Sequence, residues 1–420
     1  MGYRLREFGA ESKFIKELTL EAFGRAIPVG EVKAVIQETG TQEERARKLH
    51  MVAVIFVIIA MGIYTRLSIG DVMGKVARGL RFVWRDPCIR LPKDSAVAYR
   101  RYQLGARPLV SLFHRVCRPM ARPETPGAFL FGLRLMAIDG TVEDAPDTPE
   151  NDAVFGRQHG SRGDSAFPQV QGVYLAECGT HAIVDAGFWP YRVSERVGGF
   201  RMVRSIEPGM LLMWDRGFHD YDMVARTLER GAQILSRLPS SVKPKQIRRL
   251  PDGSYLAHLL PAEYQRRKRG EHLLVRIVEY TITDPALSGY GETHRLLTTL
   301  LDPEACSALE LAWAYHERWE IELVIDEVDT HQRLAGRPLR SLKPIGVIQE
   351  LYGLLIAHYA VRFLMHEAAL EEGLDPDRLS FVHALRVIAD AIPEFQMVAL
   401  DQLEHLYARL LRDIADNPMP

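Results

Sequence analysis

Cysteine is scarce in this chain of 420 residues, and the four present, Cys88, Cys117, Cys178 and Cys306, lie far apart with no Cys-x-x-Cys pair. That spacing argues against a structural zinc site or a disulfide framework, and reduced thiols are expected. Charge of one sign is lacking too: 53 Lys and Arg face 54 Asp and Glu, a formal net charge of −1. A globally basic nucleic-acid binder is thereby excluded, so any DNA contact must come from local basic surface. The one membrane-like stretch, Met51 to Tyr64, falls short of the ~20 apolar residues that span a bilayer. It reads as a buried core helix. The chain opens without a basic, apolar, small-residue leader, so neither secretion nor a membrane partner is expected. Internal repeats and low-complexity tracts are absent.

What is present divides along the chain. The length suits two or three domains at roughly 100–200 residues each. Residues 1–122 carry helical patterns: Pro28-Val-Gly-Glu starts one segment, Gln42 to His50 reads as a charged helix, the apolar helix follows, and Ser68 opens another. Ser95 to Val116 has apolar residues at helical spacing, broken by Gly105 and Pro108. A pair of such helices fits either a helix-turn-helix or plain packing. A Pro-rich join from Arg118 to Gly127 marks a boundary, after which strand signals appear at Leu133–Ile138, Gln169–Ala176 and Ala182–Ala186. A strand before Asp215, a helix from Tyr221 and a strand from Ala232 complete a mixed α/β layer pattern, with a Gly- and Arg-rich loop from Phe155 to Phe167. Residues 239–302 hold short β runs between turns such as Pro251-Asp-Gly and Pro285 to Gly289, and read as an antiparallel β insertion. Helical pattern resumes near Pro303 and continues to the end. The division is therefore a helical N-terminal domain (1–122), an α/β core (123–238 and 303–375), the insertion, and C-terminal helices (376–420).

Three acidic residues dominate the chemistry. Asp139 follows Leu-Met-Ala-Ile and precedes Gly-Thr, and Asp215 follows Leu-Leu-Met-Trp and precedes Arg-Gly-Phe. A carboxylate after an apolar strand sits where side chains emerge into a crevice. Each alone also fits a turn aspartate. Tyr315, Arg318 and Glu322 have the spacing that puts a phenol, a guanidinium and a carboxylate on one helix face. An exposed, salt-bridged helix shows the same pattern. Two strand-end carboxylates and a third from a helix suit a pair of divalent cations at a phosphodiester.

Tyr315-x2-Arg318-x3-Glu322 resembles the Tyr-x2-Arg-x3-Glu-x6-Lys signature of bacterial DDE-class insertion-sequence transposases, in the group founded on insertion sequence four. Gly140-Thr, Phe155-Gly-Arg, Phe167-Pro-Gln, Leu212 to Phe218, Leu339 to Pro344 and Val347 to Arg362 resemble that group in order and spacing, and Ile27 to about Phe82 is similar to its N-terminal domain. The resemblance implies a ribonuclease-H-like catalytic core with Asp139, Asp215 and Glu322 as catalytic and metal-binding triad. It implies two magnesium ions, with manganese as substitute, and cleavage then strand transfer at transposon ends. The implied DNA contacts are Tyr315, Arg318, Trp319, Arg216 and Lys343. For Trp319 the alternatives are stacking on an extruded base and a place in the helix core. The implied partners are double-stranded DNA (terminal inverted repeats and target) and a second copy of the chain. The implied location is the bacterial cytoplasm, at the nucleoid.

Departures are local. Asp329 stands where the signature has its Lys, leaving Lys343 or Arg333 as replacements. The insertion contains no Trp, and Tyr255, Tyr264, Tyr280 and Tyr290 are its aromatic alternatives for a flipped base. Its basic runs, Lys243 to Arg249 and Gln265 to Arg269, suit either phosphate contact or a solvated loop. The chain stops at Asn417-Pro-Met-Pro without a basic tail. Asp329 and that ending keep open an inactive DNA-binding remnant or regulator; a nuclease without strand transfer would share the triad.

Overall fold

The computed structural model describes residues 3–9, 12–43, 49–86, 88–160, 163–283, 285, 290–333 and 336–419. Most of the charged helix expected over 42–50, the tip of the loop expected over 155–167, and the turn expected over 285–289 lie outside them. In chain order the helices are α1 (Val29–Glu38), α2 (Met51–Ile63), α3 (Ile69–Val76), α4 (Arg78–Val83), α5 (Asp94–Leu104), α6 (Arg107–Val116), α7 (Pro149–Phe155), α8 (Glu195–Met202), α9 (Tyr221–Glu229), α10 (Tyr264–Lys268), α11 (Ala308–His316), α12 (Trp319–Asp326), α13 (Pro344–Glu372), α14 (Phe381–Met397) and α15 (Leu403–Ala415). The strands are β1 (Phe129–Leu130), β2 (Leu133–Asp144), β3 (His159–Gly160), β4 (Gly163–Asp164), β5 (Gln169–Glu177), β6 (Ala182–Pro190), β7 (Met210–Trp214), β8 (Gln233–Arg237), β9 (Lys245–Arg249), β10 (Tyr255–Leu259), β11 (Leu273–Thr281) and β12 (Thr293–Thr298). The chain forms two compact units: residues 1–120, 142–170 and 325–420 in one, 121–141 and 171–324 in the other.

The first unit is mainly helical. Every residue of α2 except Val52 is buried, the mark of a helix hydrophobic all round and packed on every side. It lies against α13, and the two backbones approach closely because each supplies a glycine. A Cβ on Gly353 would sit 2.7 Å from both Ile58 Cγ2 and the Ile58 carbonyl oxygen, and one on Gly62 would sit 2.9 Å from Ala357 Cβ. By length and composition α13 could cross a membrane, a feature the sequence reading did not single out, yet 83% of its apolar window is buried within the protein. It also carries buried polar groups. Arg362 pairs with Glu327, and His358 Nε2 lies 2.9 Å from the same carboxylate. Burial works against the Glu350 charge, but Arg340 and Ser341 outweigh it and hold that carboxyl below its ordinary value. The break expected between α5 and α6 falls at Gly105, whose φ of 71° suits glycine alone.

The second unit is built on one sheet in the order β6-β5-β2-β7-β8-β12-β11-β10-β9, with β1 added to β2. β2, β7 and β8 run parallel, and α9 makes the crossover between the last two. All of β7 is buried, as a strand covered on both faces requires. From β8 to β9 every pairing is antiparallel, so the strands of residues 239–302 extend the same sheet. β9 is exposed along its whole length and carries Lys245, Arg248 and Arg249, the charged edge that blocks sheet-to-sheet association. Fully buried Arg276 fastens this half to α11. Its Nη1 donates to the Cys306 carbonyl at 2.6 Å, its Nε to Ser254 Oγ at 2.8 Å, and it pairs with Asp252. Asp252 Oδ2 in turn accepts from the Ala308 amide at 3.0 Å, in the first turn of α11.

Candidate active site

All three acidic residues belong to the second unit. The parallel register pairs Ile138 with Trp214, so Asp139 and Asp215 follow at one level on adjacent strands. Side chains at one level of a parallel pair leave the same face, on strands about 4.8 Å apart. β7 stops before Asp215, as expected. β2 does not stop before Asp139: it runs on to Asp144 because its other neighbour, β5, continues beside it. Asp139 is therefore a half-buried mid-strand carboxylate, reached from solvent where β7 ends rather than where its own strand ends.

The helix expected to carry Tyr315, Arg318 and Glu322 on one face is broken. α11 ends at His316, Glu317 and Arg318 form a turn, and α12 begins at Trp319. The break turns Arg318 inward. Its Nη2 donates to Glu322 Oε1 at 2.7 Å, and its Nη1 reaches Asp139 Oδ2 at 3.4 Å. Burial works against this cation, but Tyr315, Glu322 and Asp139 outweigh it and raise its pKa. Tyr315 is buried, and its hydroxyl donates to the Trp214 carbonyl at 3.4 Å, one residue before Asp215. Burial pushes its phenol well above the ordinary range. One contiguous set thus links both strands and the α11–α12 turn.

Burial is also the main reason why the Asp139 carboxyl is raised from 3.8 to about 6; Glu322 and Glu195 add to it, while the Gly140 amide and Arg318 oppose it. Asp215 Oδ1 is buried without a hydrogen-bond partner. A carboxylate oxygen removed from water and left unpaired is costly unless a cation meets it. In this arrangement no three ligand oxygens of the described Asp139, Asp215 and Glu322 lie within 4.8 Å of one another, because the Arg318 guanidinium stands between two of them. The donor set is all hard oxygen, the kind that suits magnesium. An orphaned oxygen and a cation already lodged among the carboxylates fit a site for divalent ions.

Beside Arg318 opens a pocket of about 180 Å³ lined by Arg237, Tyr280, His294, Tyr315, His316 and Trp319, among others. Trp319 is 52% exposed, so the helix-core alternative does not hold for it. Tyr280 is the insertion tyrosine that reaches this pocket, stacked on His294 with ring centroids 5.3 Å apart. Arg237 Nη2 lies 2.9 Å from His294 Nδ1. The sequence offered no signal for Arg237 or His294, since pairing of the distant strands β8 and β12 brings them together, nor for His316, the residue after Tyr315 at the end of α11. Arg216 is exposed in the turn after Asp215. Lys343 belongs to the other unit, where it caps α13 and its Nζ lies 5.2 Å over the Tyr102 ring. Arg333, weighed as a replacement for the missing Lys, is paired with fully buried Glu143. Asp329 lies in a π-helical turn, Glu327–Gln332, instead of continuing α12.

Residues 130–360 match the family described as Transposase DDE domain, and residues 17–114 match Insertion element 4 transposase N-terminal. The chain belongs to the DDE transposases of the insertion element 4 group. This transposase is 26% identical, over 91% of its own length and 84% of the relative's, to the transposase InsG for insertion sequence element IS4 of Escherichia coli (strain K12). Among solved structures it is similar to a cryo-EM structure of the piggyBac transposase synaptic complex with hairpin DNA. The TM-score is 0.48 at 14% identity, covering 96% of the transposase and 85% of that chain.

Proposed function

We propose that this transposase carries out cut-and-paste transposition on a ribonuclease-H-like core, with Asp139, Asp215 and Glu322 holding two magnesium ions, for which manganese substitutes. The observation that carries the reading is the bridge from Arg318 to Asp139 and Glu322, with Asp215 level with Asp139 on the next strand. Bound there, the ions would stabilise the attacking and departing oxygens of an in-line displacement. The protein supplies position and charge, which a phosphodiester needs in place of a covalent enzyme intermediate. Water adds its oxygen to phosphorus at the transposon end and loses a proton to solvent. The P–O3′ bond breaks, and the freed 3′ oxygen takes up a proton. That 3′-hydroxyl is the nucleophile for the later transfer.

Arg318 and exposed Arg216 hold the scissile phosphate, since a guanidinium matches phosphate oxygens in a fork. The Tyr315 phenol, kept protonated by burial, orients that arginine and the strand end before Asp215. The pocket between Tyr280 and Trp319 suits a base turned out of the stack, which favours a hairpin step. Lys343 serves backbone phosphate in the other unit. Two ends must be joined in concert, so the working form is a homodimer on paired terminal repeats, acting at the nucleoid.

A second reading, a DNA-binding relative without catalysis, is favoured by Asp329 at the signature's Lys position. Incubation with magnesium and DNA carrying the element's terminal repeats separates the two. Cleavage at the repeat boundary, lost in Glu322→Gln while DNA binding persists, supports the transposase. Binding without cleavage by the unaltered protein supports the second reading.

A further inference from the structure

A fourth carboxylate flanks the triad, and no sequence pattern pointed to it. Glu195 opens α8, and its side chain lies against Gly140, the residue after Asp139. A Cβ built on Gly140 would fall 2.9 Å from both Glu195 Cδ and Oε1, so any side chain at 140 would displace this carboxylate. Gln171 holds it from the other side. This amide is only 4% exposed, and its Nε2 donates to the Thr141 carbonyl at 3.1 Å, to the Gly172 carbonyl at 3.3 Å and to Glu195 Oε1 at 3.4 Å. Glu195 is thereby tied to the strand that carries Asp139. The same helix is pinned to the turn after Asp215. Gly199 packs on Phe218, where an added Cβ would sit 2.7 Å from the ring, and Arg196 lies 3.7 Å from Asp220. α8 thus touches both the strand that carries Asp139 and the turn that follows Asp215.

A surface glutamate needs no glycine to lean on and no buried amide to hold it. Glu195 has both, although it is exposed to solvent. We propose that Glu195 is a positioning carboxylate of the divalent-ion site. Fixed by Gly140 and Gln171, it adds negative charge beside Asp139 and orients the water around an ion held by the triad. This rests on the metal-binding reading above. It also gives a reason for glycine after the first aspartate.

The test is manganese binding to the full-length protein without DNA, read from the loss of the free-ion electron paramagnetic resonance signal. Outer partners of metal ligands are worth on the order of 10-fold in affinity. Glu195→Gln should weaken binding about that much, Glu195→Asp should recover most of it, and Gln171→Leu should weaken it with Glu195 intact. Thermal midpoints of the two Glu195 variants should stay near that of the unaltered protein, whereas Gln171→Leu should lower it, since two backbone carbonyls lose their donor. Equal affinity in Glu195→Gln and the unaltered protein overturns the proposal and leaves the triad standing. No binding by the unaltered protein overturns the metal reading and this proposal with it.

Discussion

At the scale of single residues, Asp139 shows what the fold does to a carboxyl of the candidate site. Its carboxyl titrates at 3.8 when exposed and at about 6 in the fold, chiefly through burial. Without metal, the ionised form therefore costs up to about 3 kcal/mol of stability. The sign follows from the two values. Below about pH 4 the group is protonated in both states and nothing is lost; the loss grows between 4 and 6 and is complete above. Asp139→Asn should raise the thermal midpoint of the metal-free protein at pH 8 and leave it unchanged at pH 4. An equal shift at both pH values would refute the assignment. The three carboxylates proposed as the triad stand out in the sequence, because each sits in a distinctive local run. Arg318 was legible as a residue, and so was its i,i+4 partner Glu322; its contact with Asp139, a residue distant in sequence, was not. Arg237 and His294 were invisible, since only pairing of distant strands brings them together, and Glu195 was invisible because only the packing of α8 on β2 and β5 sets it beside Gly140 and Gln171.

α2 was readable as a core helix from its uninterrupted apolar run. Its partner was not, because nothing local says that Gly62 and Gly353 meet a helix from the far end of the sequence. Adding a methyl at Gly353 forces it onto the Ile58 backbone, which has no rotamer to yield. Overpacking of this kind costs about 1–3 kcal/mol. Gly74 in α3 is the control, with nothing within 4 Å of an added Cβ. Gly353→Ala should lower the urea midpoint, and Gly74→Ala should raise it by up to about 1 kcal/mol of stability through helix propensity. Similar effects from both substitutions would mean that the close approach of α2 and α13 is wrong. β2 carries the matching lesson. Its extension past Asp139 could not be read from composition, since Gly140-Thr looks like a turn and is strand only because β5 continues beside it.

For the whole molecule, chain order and compactness diverge. The first unit is assembled from residues 1–120, 142–170 and 325–420, so its core closes only when both ends of the chain are present. Residues 1–120 made alone should lack a cooperative thermal transition, because α2 would expose the apolar surface that α13 covers. A cooperative transition in that fragment would contradict this account. The mixed α/β class was legible from strand and helix periods. The joining of residues 239–302 to the same sheet was not, as antiparallel runs read alike whether they stand apart or extend a neighbour. The near-zero net charge also takes on a structural sense. Buried Arg276, paired with Asp252, and buried Arg362, paired with Glu327, take cations off the surface, so the whole-chain sum does not describe the surface charge.

The metal reading rests most heavily on Asp215, whose buried oxygen has no hydrogen-bond partner. Asp215→Cys tests it most directly, because a thiolate is a poor ligand for magnesium and a better one for softer manganese. Cleavage of terminal-repeat DNA by this variant should be absent with magnesium and recovered in part with manganese, while the unaltered protein cleaves with either. Full activity of the variant in magnesium would remove Asp215 from the site. Loss in both metals with DNA binding intact, repeated in Asp215→Glu, would leave the aspartate essential but contradict its role as a ligand.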